Sequence, residues 1–212
     1  MGGFHPATII TAAVLFSSAC STATSQTTTT PQAAAPVTVT TNAAAIAKAR
    51  ADSVQYPYTQ ADVDFMTMMI GHHAQAVKVS LWAPTHGANP AVLRLAERIV
   101  NAQQDEIVTM QQWLIDRQKP VPSVTDHMHH QMPGMLTEEQ LQQLDRARGA
   151  KFDRLFLTLM IQHHRGAVSM VKELFTTSGA AVDLLVFKFA NDVQVDQTTE
   201  VARMEQLLAN LK

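Results

Sequence analysis

Residues 62–77 read DVDFMTMMIGHHAQAV, and residues 153–168 read DRLFLTLMIQHHRGAV. Both follow D-x-x-F-(M/L)-x-(M/L)-M-I-x-H-H-x-x-A-V, so an adjacent histidine pair recurs behind the same Met-Ile and ahead of the same Ala-Val. A second match lies downstream of each copy: QQDEIVTMQQWL from Gln103 aligns with QTTEVARMEQLL from Gln197. A doubled unit of this size folds by burying its apolar face against its own copy. Each unit reads as a helical hairpin, and two hairpins predict an all-α four-helix bundle.

The rest of the chain agrees with helices. After residue 50, glycine and aromatic residues are sparse, while Ala, Leu, Gln and Met are plentiful. Thr59 with Asp62 three residues on forms a capping-box pattern, and the apolar pattern runs from there to about Trp82. Asn89 and Pro90 are the N-cap and first position of a second helix that reaches about Arg117, where Pro120 and Pro122 end it. Thr137 with Gln140 opens the second hairpin, Gly149 marks a bend in its long first helix, and Ser178-Gly179 stops that helix. The last helix is expected from about Ala181 to Leu211. The bundle domain thus spans 56–212, with hairpins at 59–118 and 137–211 and a linker at 119–136.

The first 55 residues read differently. An apolar run from Ala7 to Phe16 is too short to span a bilayer, and it leads into FSSAC. Residues 1–19 are expected to be a secretion signal. Cys20, the only cysteine, sits where a lipoprotein signal is cut and acylated, so it is the expected lipid anchor to the membrane. The stretch departs from such boxes in having no Lys or Arg before the apolar run and Ser17 in place of the usual Leu; a plain secretion signal is the alternative. Residues 20–55, rich in Thr, Ala, Ser and Pro, read as a tether. The chain's formal charge is -2 and no basic block stands out, which argues against nucleic acid as a partner. Oligomeric state is not legible.

Helical spacing gives the direction of the doublets. Phe65, Met69, His72, Ala76 and Val79 are separated by steps of four, three, four and three, as are Phe156, Met160, His163, Ala167 and Met170. His72 and His163 therefore belong to the buried seam. His73 lies beside it, in line with Met66, Ile70 and Val77, and His164 follows Leu157, Ile161 and Val168. Imidazole in an apolar seam is costly unless its nitrogens find partners, and a metal ion is one such partner. Met69 and Met160 stand three and four residues before the histidines of their copies, on the same helix face.

Donor chemistry discriminates among metals. A carboxylate-bridged di-iron bundle uses Glu-x-x-His, but here the residues three before each histidine are Met69, Ile70, Met160 and Ile161. Zinc makes little use of thioether, whereas copper, above all Cu(I), accepts both imidazole and thioether. The candidate metal ligands are accordingly His72, His73, His163, His164, Met69, Met160 and Met66. The linker, DHMHHQMPGM, adds His127, Met128, His129, His130, Met132 and Met135. Each assignment has a structural counterpart: buried histidines that only satisfy polar groups, core-filling methionines, and solvated loop histidines. Met110 and Met204 read as core, Glu106 and Glu200 as helix-surface residues, and His86 as a turn residue. Metal binding is expected to weaken as pH falls below the ordinary histidine pKa of about 6.5.

The doublet segments, together with MPGMLTEEQL, the G-x-x-F-D-R-x-F run at 149–156 and E-I-x-x-M-x-x-W-L at 106–114, resemble the bacterial domain-of-unknown-function family 305 over about residues 56–211. That resemblance implies a ferritin-like four-helix bundle, export, and, from some members, periplasmic copper binding linked to copper resistance. It implies copper bound through His72, His73, His163 and His164 with methionines of the same motifs and the linker. Leu157, where the first copy has Met66, breaks the symmetry of thioether donors. The leading expectation is an exported or lipid-anchored protein that sequesters or delivers copper. The alternatives are a redox-active metalloenzyme on the same frame, for which no acid/base pair stands out, and an envelope interaction module with structural histidines.

Overall fold

The computed structural model describes residues 51, 57–123 and 132–211. Among these are five helices and no strand: α1 Gln60–Ser80, α2 Pro90–Asp116, α3 Glu138–Arg146, α4 Ala150–Thr176 and α5 Leu184–Asn210. The four long helices form the bundle, with α2 packed on α1, α5 on α4, and α1 crossing α4 at the centre. The short α3 lies against α4.

Helix starts follow local chemistry. Thr59 and Asp62 close a capping box on α1, Thr137 and Gln140 close one on α3, and the Asn89 side chain caps α2 ahead of Pro90. The second hairpin departs from one continuous long helix. The chain leaves helical geometry at Ala147 and turns through Gly149, at φ +56, so α3 and α4 are separate. The last helix also starts later than expected, at Leu184, where the buried Asp183 carboxylate accepts from the backbone N–H groups of Leu185 and Val186 at 2.9 and 3.1 Å.

The same Asp183 pairs with the fully buried guanidinium of Arg117, which lies 4.3 Å over the Trp113 ring. This ion pair ties the end of α2 to the start of α5. A second tie, at the other end, runs through His86. Its ring, 5% exposed, sits between Trp82 and Phe152, with Nε2 2.9 Å from the Asp145 carbonyl. His86 is a turn residue as expected, but a buried one.

Two apolar clusters fill the bundle. One gathers the first half of α1, the second halves of α2 and α4 and the first half of α5, including Phe65, Met69, Met110, Val171 and Phe189. The other gathers the remaining halves, including Val79, Ile99, Phe156, Met160 and Met204. Residues of α1 that meet the late part of α4 come from its early part, so the two doublet helices are antiparallel. Between the clusters, at the middle of all four long helices, lies a polar layer.

A candidate metal centre between two apolar clusters

His72 and His73 come from the middle of α1, and His163 and His164 from the middle of α4. All four are fully buried. The seam residues of both copies are buried with them, so the three-four spacing reads the inward face correctly. His72 and His163 meet across the bundle with ring centroids 3.9 Å apart, while the partners within each doublet are 6.4 and 6.1 Å apart.

Each hairpin's second helix supplies a carboxylate to the outer histidine of its doublet. Nε2 of His164 donates to Glu200 Oε2 at 2.9 Å, and Nε2 of His73 lies 2.8 Å from Glu106 Oε2. The His73 contact is close but not aligned as a hydrogen bond. Arg98 donates from Nε to the other oxygen of Glu200 at 3.1 Å. The expectation that Glu106 and Glu200 are surface residues is therefore corrected. Helix periodicity sees only one helix at a time, and these carboxylates point across the hairpin. Their signal in the sequence was the repeat itself, since Glu106 and Glu200 occupy matched positions. Three residues earlier in each copy, Gln103 and Gln197 are 1% and 2% exposed and enter the same layer.

The doublets are covered on one side by residues 132–136. The Pro133 carbonyl accepts from His72 Nε2 at 3.0 Å. The Gln75 side chain grips both backbone polar groups of Leu136, accepting from its N–H at 2.8 Å and donating to its carbonyl at 3.0 Å. Gly134, at φ +78, lies against Gly166 of α4, where a Cβ on Gly166 would come within 2.6 Å of the Gly134 Cα. Met132 is buried in the first apolar cluster and Met135 packs half-buried against it. Met66, Met69 and Met160 are fully buried. His127, Met128, His129 and His130 lie outside the described residues, as do Cys20 and the whole signal and tether.

Protonation follows from burial. Desolvation, reinforced by the charge of His73, lowers the His72 pKa to about 3, and desolvation together with His72 holds His163 well below the usual histidine range. Both rings are neutral near pH 7. Burial raises the Glu200 carboxyl, but hydrogen bonds and charge from His164 and Arg98 overcome it and leave the pKa lowered. The neutral His72 ring, donating from Nε2 to the Pro133 carbonyl, keeps its lone pair on Nδ1. That atom, with Nδ1 of His164 and both nitrogens of His73 and His163, is buried without a hydrogen-bond partner. Among the described residues, no three His, Cys, Asp or Glu side chains are arranged as a finished metal cluster.

The comparisons with known proteins agree with this fold. The family model described as "Domain of unknown function (DUF305)" matches residues 62–208. Among solved structures, a DUF305 fragment from Deinococcus radiodurans is 29% identical with a TM-score of 0.65, over 73% of this chain and 99% of that one. A DUF305 protein from Streptomyces coelicolor, assigned as secreted, is 31% identical with a TM-score of 0.61, over 70% and 92% of the two chains. CopM in its Cu(II)-bound form is 31% identical with a TM-score of 0.59, over 71% and 97%. CopM is also solved in Cu(I)-bound and Ag-bound forms. No curated protein matches the sequence. With its model matched over most of the folded chain and its bundle shared with solved members, the chain belongs to the DUF305 family.

Proposed function

We propose that this protein binds copper in its central polar layer, through His72, His73, His163 and His164 together with thioethers of Met66, Met69 and Met160, and that it sequesters or delivers the ion in the cell envelope. The observation that carries the reading is the set of buried histidine nitrogens without a hydrogen-bond partner. A histidine that ligates through one nitrogen characteristically donates its other N–H to a carbonyl or carboxylate, which fixes the tautomer and the ring. His72 does so to Pro133 and His164 to Glu200, and His73 has Glu106 beside it. Histidines placed only to satisfy a polar core would not leave six nitrogens without partners.

The donors fit the ion. Neutral imidazole and thioether together suit copper better than zinc or iron. Glu106 and Glu200 do bring carboxylate close to the layer, which the sequence pattern had suggested was missing. Both stand next to histidine nitrogens, as supports for imidazole rather than as a bridged carboxylate pair. The imidazoles alone do not close a site, so methionine sulfur supplies the remaining donors. CopM relatives solved with Cu(I), Cu(II) and Ag support a soft-ion reading, and the signal-like segment at residues 1–19 supports export, with Cys20 as anchor. Met132 and Met135 lie beside the layer as accessory donors, and His127, Met128, His129 and His130 follow as candidate capture residues of the linker.

The test is metal analysis of the full chain after exposure to Cu(I), Cu(II), Zn and Fe and dialysis. The wild type is expected to retain copper preferentially. His72→Ala/His163→Ala is expected to lose it, and replacement of His127, His129 and His130 to leave it in the bundle. Full copper content and affinity in the folded His72→Ala/His163→Ala protein would overturn the assignment.

A further inference from the structure

One side of the polar layer is closed by backbone and the other by side chains alone. Residues 132–136 lie on Gly166 and on His72 with no room between them. Opposite, α2 and α5 pack on their own hairpin partners rather than on each other, and a groove of about 610 Å³ opens between them. It is lined by Arg98, Gln103, Glu106, Asp196, Gln197 and Glu200. Its continuation toward the start of α5 has Glu106 and Asp196 in its wall as well, and adds Asp105, Asp116 and Asp192. Against these six carboxylates stand three cations, Arg98, Arg203 and Lys188, of which Arg98 is engaged by Glu200 and Lys188 by Asp192. The groove is thus more negative than the chain as a whole, whose formal charge is -2.

We propose that this groove is the loading port through which a hydrated metal cation reaches the histidine layer, with exposed Asp196 as the outer attractor and Glu106 and Glu200 as the inner contacts. The inference rests on the copper reading above and adds to it a route and a residue that belongs to no ligand set. Two observations point inward from the acidic lip. Glu106 and Glu200 each face the groove and each reach the imidazole behind it, at 2.8 and 2.9 Å. Gln103, 1% exposed and lining the same groove, has neither its amide nitrogen nor its oxygen partnered by protein. A buried amide without a partner is costly, and here its oxygen is offered to the ion and its N–H donors to the water that the ion sheds. Like-charge crowding at the lip is visible in Asp196, whose pKa is raised by desolvation and by Glu106, Glu200 and Asp192. A cleft lined by one sign of charge concentrates oppositely charged ligands and speeds their entry.

Loading of Cu(II) into the full chain, followed by stopped-flow quenching of tryptophan fluorescence, tests the route. At about 10 mM salt, Asp196→Asn is expected to slow loading about threefold and Asp196→Lys about tenfold, with both differences collapsing at about 0.5 M salt, where charges are screened within a few ångströms. Final copper content is expected to stay at the wild-type level. Glu173→Lys, which changes the same charge on an exposed part of α4 away from the groove, is expected to load at the wild-type rate. Gln103→Leu is expected to slow loading at both salt concentrations, because it removes a contact rather than a charge. Wild-type rates in Asp196→Lys at low salt, or equal slowing in Glu173→Lys, would overturn the port while leaving copper binding intact. Failure of the wild type to retain copper would instead overturn the binding reading, and the port with it.

Discussion

A single methyl group at position 166 would strike the backbone of the loop that covers the histidines. Its Cβ would fall inside the Pro133 carbonyl and 2.6 Å from the Gly134 Cα, and neither atom belongs to a side chain that can swing away. The two copies of the repeat differ at this place for a physical reason. Where the second copy has Gly166, the first has Gln75, whose amide holds Leu136; where the first has Gly71, the second has Gln162, whose amide reaches the Gly134 carbonyl at 3.4 Å. One loop cannot lie on two equivalent helices in the same way, so the doublets are equivalent and their flanks are not. Gly166→Ala is expected to cost about 1–3 kcal/mol in urea unfolding, a typical cost of overpacking. It should also raise hydrogen exchange at the Leu136 amide, since the loop must lift. Unchanged stability and unchanged exchange would mean that the loop is not seated on α4. The aspartates that open the two repeats are equivalent in a stricter sense, and their role appears only between elements.

Asp62 accepts from the backbone N–H of Ala181 at 2.6 Å, just ahead of α5, and Asp153 accepts from the N–H of Asn89 at 3.1 and 3.3 Å, at the cap of α2. Each repeat therefore fastens the turn of the other hairpin, and the doubled D-x-x-F is a cross-stitch between hairpins. Asp153→Ala is expected to lower stability by about 1–3 kcal/mol through the N–H it leaves unpaired. Asp62→Ala should cost about 0.5–2 kcal/mol more, because Asp62 also completes the capping box with Thr59. The two sit at opposite ends of antiparallel helices, so their costs should add within about 0.5 kcal/mol in a double-mutant cycle. Strong coupling would place both in one cooperative network instead. The element level also shows what was legible beforehand. Caps at Thr59, Asn89 and Thr137 are local chemistry and could be read directly, as could the buried seams of α1 and α4. In the sequence the break at Gly149 reads only as a bend, because a glycine in a helical pattern does not reveal that φ will be positive. Glu106, Glu200 and the Asp183–Arg117 pair escaped because each is defined by a partner 33 to 66 residues away, for which one helix's periodicity holds no information.

Across the whole molecule, the cost of the polar layer should appear in acid. His72 has its pKa lowered to about 3 in the folded protein, and His163 is lowered in the same direction; both titrate near 6.5 when unfolded. Above pH 6.5 neither state holds the extra proton, and these two residues do not affect stability. Below it, the unfolded chain takes up protons that the folded chain refuses. Stability should therefore fall steadily as pH drops from 6.5 toward 3, by up to about 1.4 kcal/mol per pH unit for each ring. Glu200 acts in the same sense. Its lowered pKa contributes stability that is present above its unfolded value of 4.5 and lost as pH falls through the folded one. Urea midpoints of the metal-free protein, taken in half-unit steps from pH 7.5 to 4, should trace this slope, and His72→Gln/His163→Gln should flatten its upper part while Glu200→Gln flattens only the lower. Because the buried rings stay neutral in the folded state, the ordinary histidine pKa does not set the acid limit of the layer, and the fold should give way before these imidazoles are protonated inside it. A wild-type midpoint that is level from pH 6.5 to 4.5 would show that the rings charge freely in the folded protein, and that the layer is open to water on more than its α2–α5 side.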